Sequence, residues 1–286
     1  EGLDPPWLAC ELAARTQRDP SGYWPEICII QADPLEFLDA LAHADVAPLL
    51  GESRTRLFVG PDASRTLAQD LRSRQDRRLG GVYAPLLTLR TRTDPPVSSV
   101  LTAAEAAQNT EHESLLAQVH ALYQGRDRAW WAKRYEAAAK GGPPLRILVP
   151  SCRFTTFVQH SGADLAAALR AKGHQAEVLI EADDSARLTS VSYLRAIRRL
   201  EPDLVILVNY LRQNIGAWFP RELPFVCWVQ DAMPHLFDAK LGAQQTEFDF
   251  LAGHLRDELT RGFGFPSTRT LPMPVVASAA KFHPEP

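Results

Sequence analysis

The strongest constraint on the fold comes from residues 146–231, where short apolar segments alternate with amphipathic helical ones. The apolar segments are RILVP (146–150), AEVLI (176–180), PDLVILVNY (202–210) and LPFVCWVQD (223–231). Segments that are apolar throughout predict strands covered on both faces, and helices between such strands predict a parallel sheet. This part of the chain is therefore expected to form a doubly wound α/β unit.

The helices between these segments have recognisable ends. Ser161 and Asp164 have the Ser-x-x-acid spacing of a helix N-cap box, and Gly173 is placed to end the same helix. These signals predict a helix over 161–174. A second helix is expected from about Thr189 to Leu200.

Ligands of parallel α/β sheets bind outside the carboxyl ends of the strands. That rule selects the segments 154–162, 209–212 and 230–235 as the candidate site. Asp231 follows an apolar strand there, and a carboxylate can take the proton of a hydroxyl group, so Asp231 is our first catalytic candidate. A helix cap is the alternative role for an aspartate at a strand end.

Two histidines lie in the selected segments. His160 is in the first strand-to-helix loop and is the second catalytic candidate. His235 lies four residues after Asp231 and would join the site as a binding residue if that loop turns helical. Either histidine could instead be a hydrogen-bonded surface residue. No third ligand stands at recognisable spacing, so no metal site is predicted.

Polar groups in the same segments are candidates for substrate binding. Asn209, Tyr210 and Arg212 offer hydrogen bonds, stacking and positive charge to a polyhydroxyl ligand, although loop capping would also explain them. Ser161 and Gly162 could present backbone N–H groups at a helix start, which capping explains equally well.

Trp228 and Gln230 are weaker candidates than their neighbours. Strand side chains alternate between the two faces of a sheet, which puts these two residues on the face opposite Val229 and Asp231. We therefore do not include them in the predicted site.

Several motifs in the second half resemble a known family. They are PDLVILVNY (202–210), LPFVCWVQDAMPHLFD (223–238), FDFLAG (248–253), GFGFP (262–266), LPMPV (271–275) and KFHP (281–284). Together they are similar to the N-terminal half of a CgeB-like GT-B glycosyltransferase. In that family two Rossmann-like domains face each other across a cleft, the first generally binding the acceptor and the second the nucleotide-sugar donor.

The resemblance implies transfer of a sugar from a nucleotide-sugar donor to an unknown acceptor, either a protein or a glycan. In the family the donor domain begins soon after an F-x-P segment like 282–284, so that domain is expected beyond this chain, and the isolated chain is expected to be inactive. The alternative is a non-catalytic interaction or scaffold protein built from ligand-less Rossmann-like domains. A methyltransferase is a third, weaker possibility.

The first half has a different pattern. Residues 25–50 and 54–63 predict a strand, a helix and a second strand, similar to part of a Rossmann methyltransferase-like domain. In such domains an acid at a strand end binds a ribose, but Gln31 occupies that position here, with Asp33 two residues on. The glycine-rich first turn is missing. We therefore expect a degenerate domain that binds no S-adenosylmethionine, and no cofactor for the chain.

The sequence predicts an α/β protein with two Rossmann-like parallel-sheet domains, 1–110 and 145–286, joined by a helical connector over 111–144. The connector has Leu115, Val119 and Leu122 at helical spacing and a possible break at Gly125. Its aromatic residues, Trp130, Trp131 and Tyr135, either pack it against a domain or form a platform for a sugar or a partner protein. Segment 90–103, with two prolines, is predicted to be a loop.

Composition is compatible with two globular domains and excludes several classes of protein. The chain has 286 residues, 45% of them hydrophobic, and a formal net charge of −3, which does not favour a nucleic-acid surface. No segment reaches the roughly 18 consecutive apolar residues of a membrane span. The four cysteines are widely spaced and form neither a zinc nor a disulfide pattern, so reduced thiols and a cytoplasmic enzyme are expected.

Overall fold

The computed structural model describes residues 6–74, 77, 79, 94–155, 157–216 and 218–274. The chain divides into two compact units. The N-terminal unit comprises Glu1–Ser114 and Glu181–Ser192, and the C-terminal unit comprises Leu115–Ile180 and Tyr193–Pro286.

The N-terminal unit contains two parallel strands and the helices around them. Its strands are β1 (Ile27–Gln31) and β2 (Thr55–Val59). Its helices are α1 (Pro6–Arg15), α2 (Pro34–His43), α3 (Ala47–Gly51), α4 (Ala63–Ser73) and the first part of α5 (Val97–Tyr123). The predicted order of strand, helix and strand is confirmed.

Residues Glu181–Ser192 belong to the N-terminal unit although they lie between two elements of the other unit. The N–H of Trp24 donates to the carbonyl oxygen of Asp184 at 2.8 Å. Ion pairs add to this contact, with Arg18 to Asp184 at 2.7 Å and Arg187 to Asp19 at 3.0 Å. The N-terminal unit is therefore discontinuous in sequence.

The C-terminal unit contains the predicted parallel sheet. Its strands are β3 (Arg146–Pro150), β4 (Gln175–Leu179), β5 (Leu204–Val208), β6 (Phe225–Val229), β7 (Asp249–Gly253) and β8 (Thr270–Pro272). Its helices are the end of α5, α6 (Arg128–Ala139), α7 (Val158–Ala171), α8 (Ser190–Leu200), α9 (Arg212–Ile215), α10 (Ala239–Ala243) and α11 (Arg256–Phe263).

All neighbouring strands of this sheet are parallel, in the order β4-β3-β5-β6-β7-β8. Ala166 of α7 packs with Ile147 of β3 on one face. Leu194 of α8 packs with Leu148 of β3 on the other. The prediction of a doubly wound parallel sheet is therefore confirmed. The strand order reverses between β3 and β5, because the chain continues from β3 toward one edge of the sheet and from β5 toward the other. In sheets of this kind ligands bind near the carboxyl ends of the strands at such a point.

Helix α7 begins earlier than predicted. It starts at Val158, and the N–H of Ser161 donates to the carbonyl oxygen of Phe157 at 3.0 Å, so Ser161 lies within the first turn and is not the N-cap. The residue before the helix is Phe157, so the Ser-x-x-acid spacing of Ser161 and Asp164 lies inside the helix and does not mark its start. The predicted end is confirmed, because Gly173 follows the last turn with a left-handed φ of 87°.

The predicted connector packs as part of the C-terminal unit. α5 runs without interruption through Ser114, so the division between the two units falls inside a helix. The predicted loop over 90–103 is wrong from Val97 onward, where α5 begins, because Val97, Val100 and Ala104 supply a buried helical stripe. Residues 90–93 lie outside the described residues.

The aromatic residues of the connector are used in packing. The Trp131 indole N–H donates to the carbonyl oxygen of Glu222 at 2.7 Å, and the Tyr135 hydroxyl donates to that of Asp203 at 2.8 Å. The Tyr123 hydroxyl donates to the carbonyl oxygen of Pro202 at 2.7 Å. These contacts support the packing interpretation for Trp131 and Tyr135, whereas Trp130 is partly exposed. The predicted break is confirmed at Gly125, which has a φ of 81° after the end of α5.

Candidate functional site

Asn209 is the central residue of the predicted site. It follows β5, is almost fully buried and has a left-handed φ of 62°. Its N–H donates to the carbonyl oxygen of Trp228 at 2.9 Å, which extends the pairing of β5 with β6 by one residue. Among residues other than glycine, asparagine is one of the few enriched in this conformation, so the turn after β5 selects this residue type.

The Asn209 side chain binds the end of β6 through both of its polar atoms. Its Oδ1 accepts hydrogen bonds from the N–H groups of Gln230 at 2.7 Å and Asp231 at 3.1 Å. Its Nδ2 donates to Oδ2 of Asp231 at 2.8 Å. Asparagine therefore fixes both the backbone and the carboxylate at this point.

Asp231 lies on the surface with part of its carboxylate available. Across the described part of the chain, Asn209 is the one side chain that hydrogen-bonds to the Asp231 carboxylate. The N–H of Met233 donates to the Asp231 carbonyl oxygen at 2.9 Å, which closes a turn immediately after the strand. The second carboxylate oxygen can accept a hydrogen bond from an incoming hydroxyl group.

His235 joins the same group of residues. The loop after β6 forms a short 3₁₀ turn, Pro234–Leu236, anchored by fully buried Leu236. Nε2 of His235 donates to the carbonyl oxygen of Asn209 at 2.7 Å. Because a carbonyl oxygen can only accept, the proton of the neutral ring must lie on Nε2, and Nδ1 is then an acceptor.

Tyr210 stacks on the His235 ring, with centroids 4.8 Å apart and planes inclined by 19°. Its side chain is 43% exposed, so one part of the tyrosine faces solvent at the edge of the sheet. Four of the predicted residues, Asn209, Tyr210, Asp231 and His235, are thus brought together by two neighbouring strands.

Arg212 does not join this group. Its guanidinium is buried and pairs with Asp249 at 2.6 Å, and its NH1 and NH2 groups donate to the carbonyl oxygens of Pro220 and Leu223. Burial lowers the pKa of the Arg212 guanidinium, an effect that the negative charge of Asp249 opposes. We therefore correct the predicted substrate-binding role of Arg212 to a structural one.

The three candidates near the start of α7 are also not joined to Asp231. His160 lies on the exposed surface of α7, and the described residues include no hydrogen bond or ion pair to its ring. The Ser161 N–H is used within the helix, so the predicted anion site at Ser161 and Gly162 is withdrawn. Gly162 instead allows α7 to approach β3, because a Cβ there would lie 3.1 Å from Oγ of Ser151.

Trp228 and Gln230 have polar side-chain groups, but the sequence analysis did not include them in the predicted site. Both are buried at the carboxyl end of β6, and neither side chain has a hydrogen-bond partner for its polar atoms. Alternation along the strand correctly separates them from Val229, but it does not reveal that their polar groups lack partners. Their buried polar groups without hydrogen-bond partners are a sign of a binding site that cannot be recognised from the sequence.

In the N-terminal unit, the two residues considered for ribose binding have internal contacts. Nε2 of Gln31 donates to Glu36 at 2.8 Å, and Asp33 caps α2 by accepting a 2.8 Å hydrogen bond from the N–H of Leu35. Asp33 therefore has the usual role of an aspartate before a helix.

No protein family, curated protein sequence or solved structure matches the chain. Within the described residues, no helix is long and apolar enough to cross a membrane, and no cluster of histidine, cysteine and acidic side chains is suited to a metal ion. The fold and the site define a parallel α/β protein with a cluster of polar residues at the carboxyl edge of its larger sheet. The KFHP motif (281–284) lies outside the described residues.

Proposed function

We propose that the chain provides the acceptor-side domain of a GT-B-type glycosyltransferase, which moves a sugar from a nucleotide-sugar donor to an acceptor hydroxyl. The observation that carries the proposal is the Asp231 carboxylate, held by Asn209 at 2.8 Å at the carboxyl edge of a parallel sheet. This edge is where sheets of this kind bind their ligands. The motifs that resemble the CgeB-like family support the same assignment.

In the proposed step, Asp231 is the general base. Its available oxygen accepts the proton of the acceptor hydroxyl as that oxygen forms a bond to the anomeric carbon of the sugar. The bond between the anomeric carbon and the diphosphate breaks at the same time, and the nucleoside diphosphate leaves with the electron pair. This description applies to an inverting transfer, in which proton removal typically contributes about 10²–10⁴-fold to the rate.

The neighbouring residues support this role in different ways. Asn209 is a positioning residue, because its amide group orients the carboxylate without using the second oxygen. Tyr210 presents an exposed aromatic ring, which can stack on the apolar face of a sugar. His235 holds Tyr210 by stacking, and its hydrogen bond to Asn209 keeps the ring in place.

A scaffold function is the second candidate, and one observation favours it. Helices α1 and α2 of the N-terminal unit expose large apolar side chains, with Trp7 at 62% and Leu35 at 73%. Exposed apolar residues mark a protein contact surface where they form one continuous patch. This candidate predicts that the natural protein releases no nucleoside diphosphate from any sugar nucleotide.

The test is the release of nucleoside diphosphate by the natural protein that contains this sequence. A panel of UDP-, GDP- and dTDP-sugars is supplied together with neutral saccharides as acceptors. Asp231→Asn is expected to reduce turnover by about 100-fold or more while the protein stays folded. Glu258→Gln, which changes an exposed acid on α11, is the control and should retain full turnover.

Two results contradict the proposal. A folded Asp231→Asn variant with the turnover of the unchanged protein would remove Asp231 from the mechanism. Absence of nucleoside diphosphate release across the panel would favour the scaffold function.

A further inference from the structure

Two neighbouring side chains on one face of β6 are buried with their polar atoms unpaired. Trp228 is 3% exposed and Gln230 is 5% exposed. Throughout the part of the chain that the structure describes, the Trp228 indole N–H and both polar atoms of the Gln230 amide lack a hydrogen-bond partner. Folded proteins pair the great majority of such groups, because an unpaired one has lost its hydrogen bonds to water without replacement.

The strand register locates this pair of residues on the α7 side of the sheet. Val226 pairs with Ile206, and Trp228 pairs with Val208 on β5. Ile206 packs against the α7 cluster that contains Ala166, so alternate residues of β6 from Val226 onward face the same side.

Gln230 is also next to the proposed base in the sequence, although the side chains of Gln230 and Asp231 leave opposite faces of the strand. Gln230 precedes Asp231 directly, and the N–H groups of both residues are bound by the same Asn209 oxygen, at 2.7 and 3.1 Å. Asn209 therefore fixes the backbone that carries both the Gln230 side chain and the Asp231 carboxylate.

We propose that Trp228 and Gln230 form a subsite for an uncharged part of the acceptor that carries hydroxyl or amide groups. That this ligand is a glycosyl acceptor rests on the proposed function, whereas the binding of a neutral ligand does not. An indole N–H only donates, so it requires an oxygen atom on the ligand, and a carboxamide both donates and accepts, which suits a hydroxyl or a second amide.

The charges at this edge favour a neutral ligand over an anion. Arg212 is the only arginine or lysine in residues 209–212 and 230–235. Its guanidinium is bound to Asp249, which pairs in register with Phe225 on the opposite face of the sheet from Val226. A phosphate or carboxylate buried at Trp228 and Gln230 would find no free arginine or lysine in these two segments to compensate its charge, which is unfavourable.

The first experiment measures stability, because an unpaired buried group and a paired one respond differently to substitution. Gln230→Leu and Trp228→Phe remove groups that have no partner, so neither should lower the urea midpoint beyond the change in side-chain size. The matched controls are Gln31→Leu and Trp131→Phe, which remove equally buried groups that have partners in Glu36 and Glu222. Both controls should lower the midpoint clearly.

The second experiment measures binding to this chain without any donor, by ligand-observed NMR. The probes are the methyl glycosides of glucose, galactose, mannose and N-acetylglucosamine at millimolar concentration, with glucuronic acid and glucose 6-phosphate as charged counterparts. At least one neutral glycoside should bind more tightly than both anions. Gln230→Leu should weaken that binding about tenfold or more, while Gln175→Leu, at the exposed amino end of β4, should not change it.

Three results would overturn the subsite. These are binding that is unchanged in Gln230→Leu and Trp228→Phe, tighter binding of the anions, and no binding of any neutral glycoside. A loss of stability in Gln230→Leu as large as in Gln31→Leu would also contradict it, since the amide would then be paired in the unliganded protein. The glycosyltransferase proposal is tested by a separate measurement, the release of nucleoside diphosphate by the Asp231→Asn variant.

Discussion

The side-chain amide of Asn209 donates a 2.8 Å hydrogen bond to the carboxylate of Asp231, which joins the polar ends of β5 and β6. Asn209 achieves this from a left-handed backbone conformation, with φ at 62°. Conformation and hydrogen bonding therefore both select asparagine at this position, and substitutions can separate the two contributions.

Asn209→Gly removes the side-chain hydrogen bonds but tolerates the backbone conformation, so it should cost about 1–3 kcal/mol of unfolding free energy. Asn209→Ala should cost about 1 kcal/mol more, because alanine is strained at a left-handed φ. Urea denaturation of both variants measures the difference. Equal stability of the two would show that residue 209 does not adopt this conformation in solution.

Arg212→Ala should destabilise the C-terminal unit by about 3–5 kcal/mol, because it leaves Asp249 buried without its partner. Replacing both members, as Arg212→Met with Asp249→Leu, should recover only the part of that loss due to the unpaired charge, since the carbonyl oxygens of Pro220 and Leu223 still lose their donors. The control Arg221→Ala changes an exposed arginine and should alter stability by less than about 0.5 kcal/mol. The denaturant midpoints of the three variants measure these differences in stability. An Arg212→Ala variant as stable as the unchanged protein would mean that this ion pair is not formed.

Two helical glycines should respond oppositely to alanine. A Cβ on Gly242 of α10 would collide with the backbone carbonyl oxygen of Phe263, so Gly242→Ala should destabilise the protein by about 1–3 kcal/mol or more. A Cβ on Gly262 of α11 would meet no atom within 4 Å, so Gly262→Ala should stabilise it by about 0.5–1 kcal/mol. Thermal unfolding of the pair is the measurement, and a change of the same sign in both would contradict the close packing of α10 on α11.

The cysteines should differ in their rate of alkylation. Burial raises the pKa of the Cys28 thiol to about 11 and also raises that of Cys227, so both stay protonated at pH 8, where the thiolate is the reactive form. Cys10, Cys28 and Cys152 are each only partly buried, so the slow labelling expected of Cys28 depends on its raised pKa. Iodoacetamide labelling followed by mass spectrometry should therefore modify Cys10 and Cys152 first, and all four cysteines in guanidinium chloride. Rapid labelling of Cys227 in the folded protein would contradict its burial.

The strands and the edge that carries the candidate site could be predicted from the sequence. Apolar runs such as PDLVILV leave few alternatives to a strand inside a parallel sheet, and parallel strands place their carboxyl ends on one side. Asn209 and Asp231 were therefore expected near each other. Their direct hydrogen bond depends on the left-handed turn at Asn209, which the sequence alone does not fix.

The predictions that were wrong concern residues whose contacts are made with partners far away in the sequence. Arg212 was expected to bind substrate, because the residues around it in the sequence give no sign of its partner Asp249, which lies 37 residues further on. Ser161 carried a capping pattern, but the helix begins earlier, at Val158, whose carbonyl oxygen accepts a 3.3 Å hydrogen bond from Oγ of Ser151 after β3. The role of Val97 in starting α5 likewise depends on a core formed with Phe58 and Leu67.

The segment Glu181–Ser192 has a consequence for synthesis on the ribosome. The N-terminal unit holds Asp184 and Arg187 through Trp24, Arg18 and Asp19, so it cannot be completed when residue 114 leaves the exit tunnel. Its last piece arrives only after β3, α7 and β4 of the other unit have been translated. The N-terminal unit can therefore be completed only after part of the other unit has been translated, and a nascent chain released before residue 192 would leave the first unit unfinished.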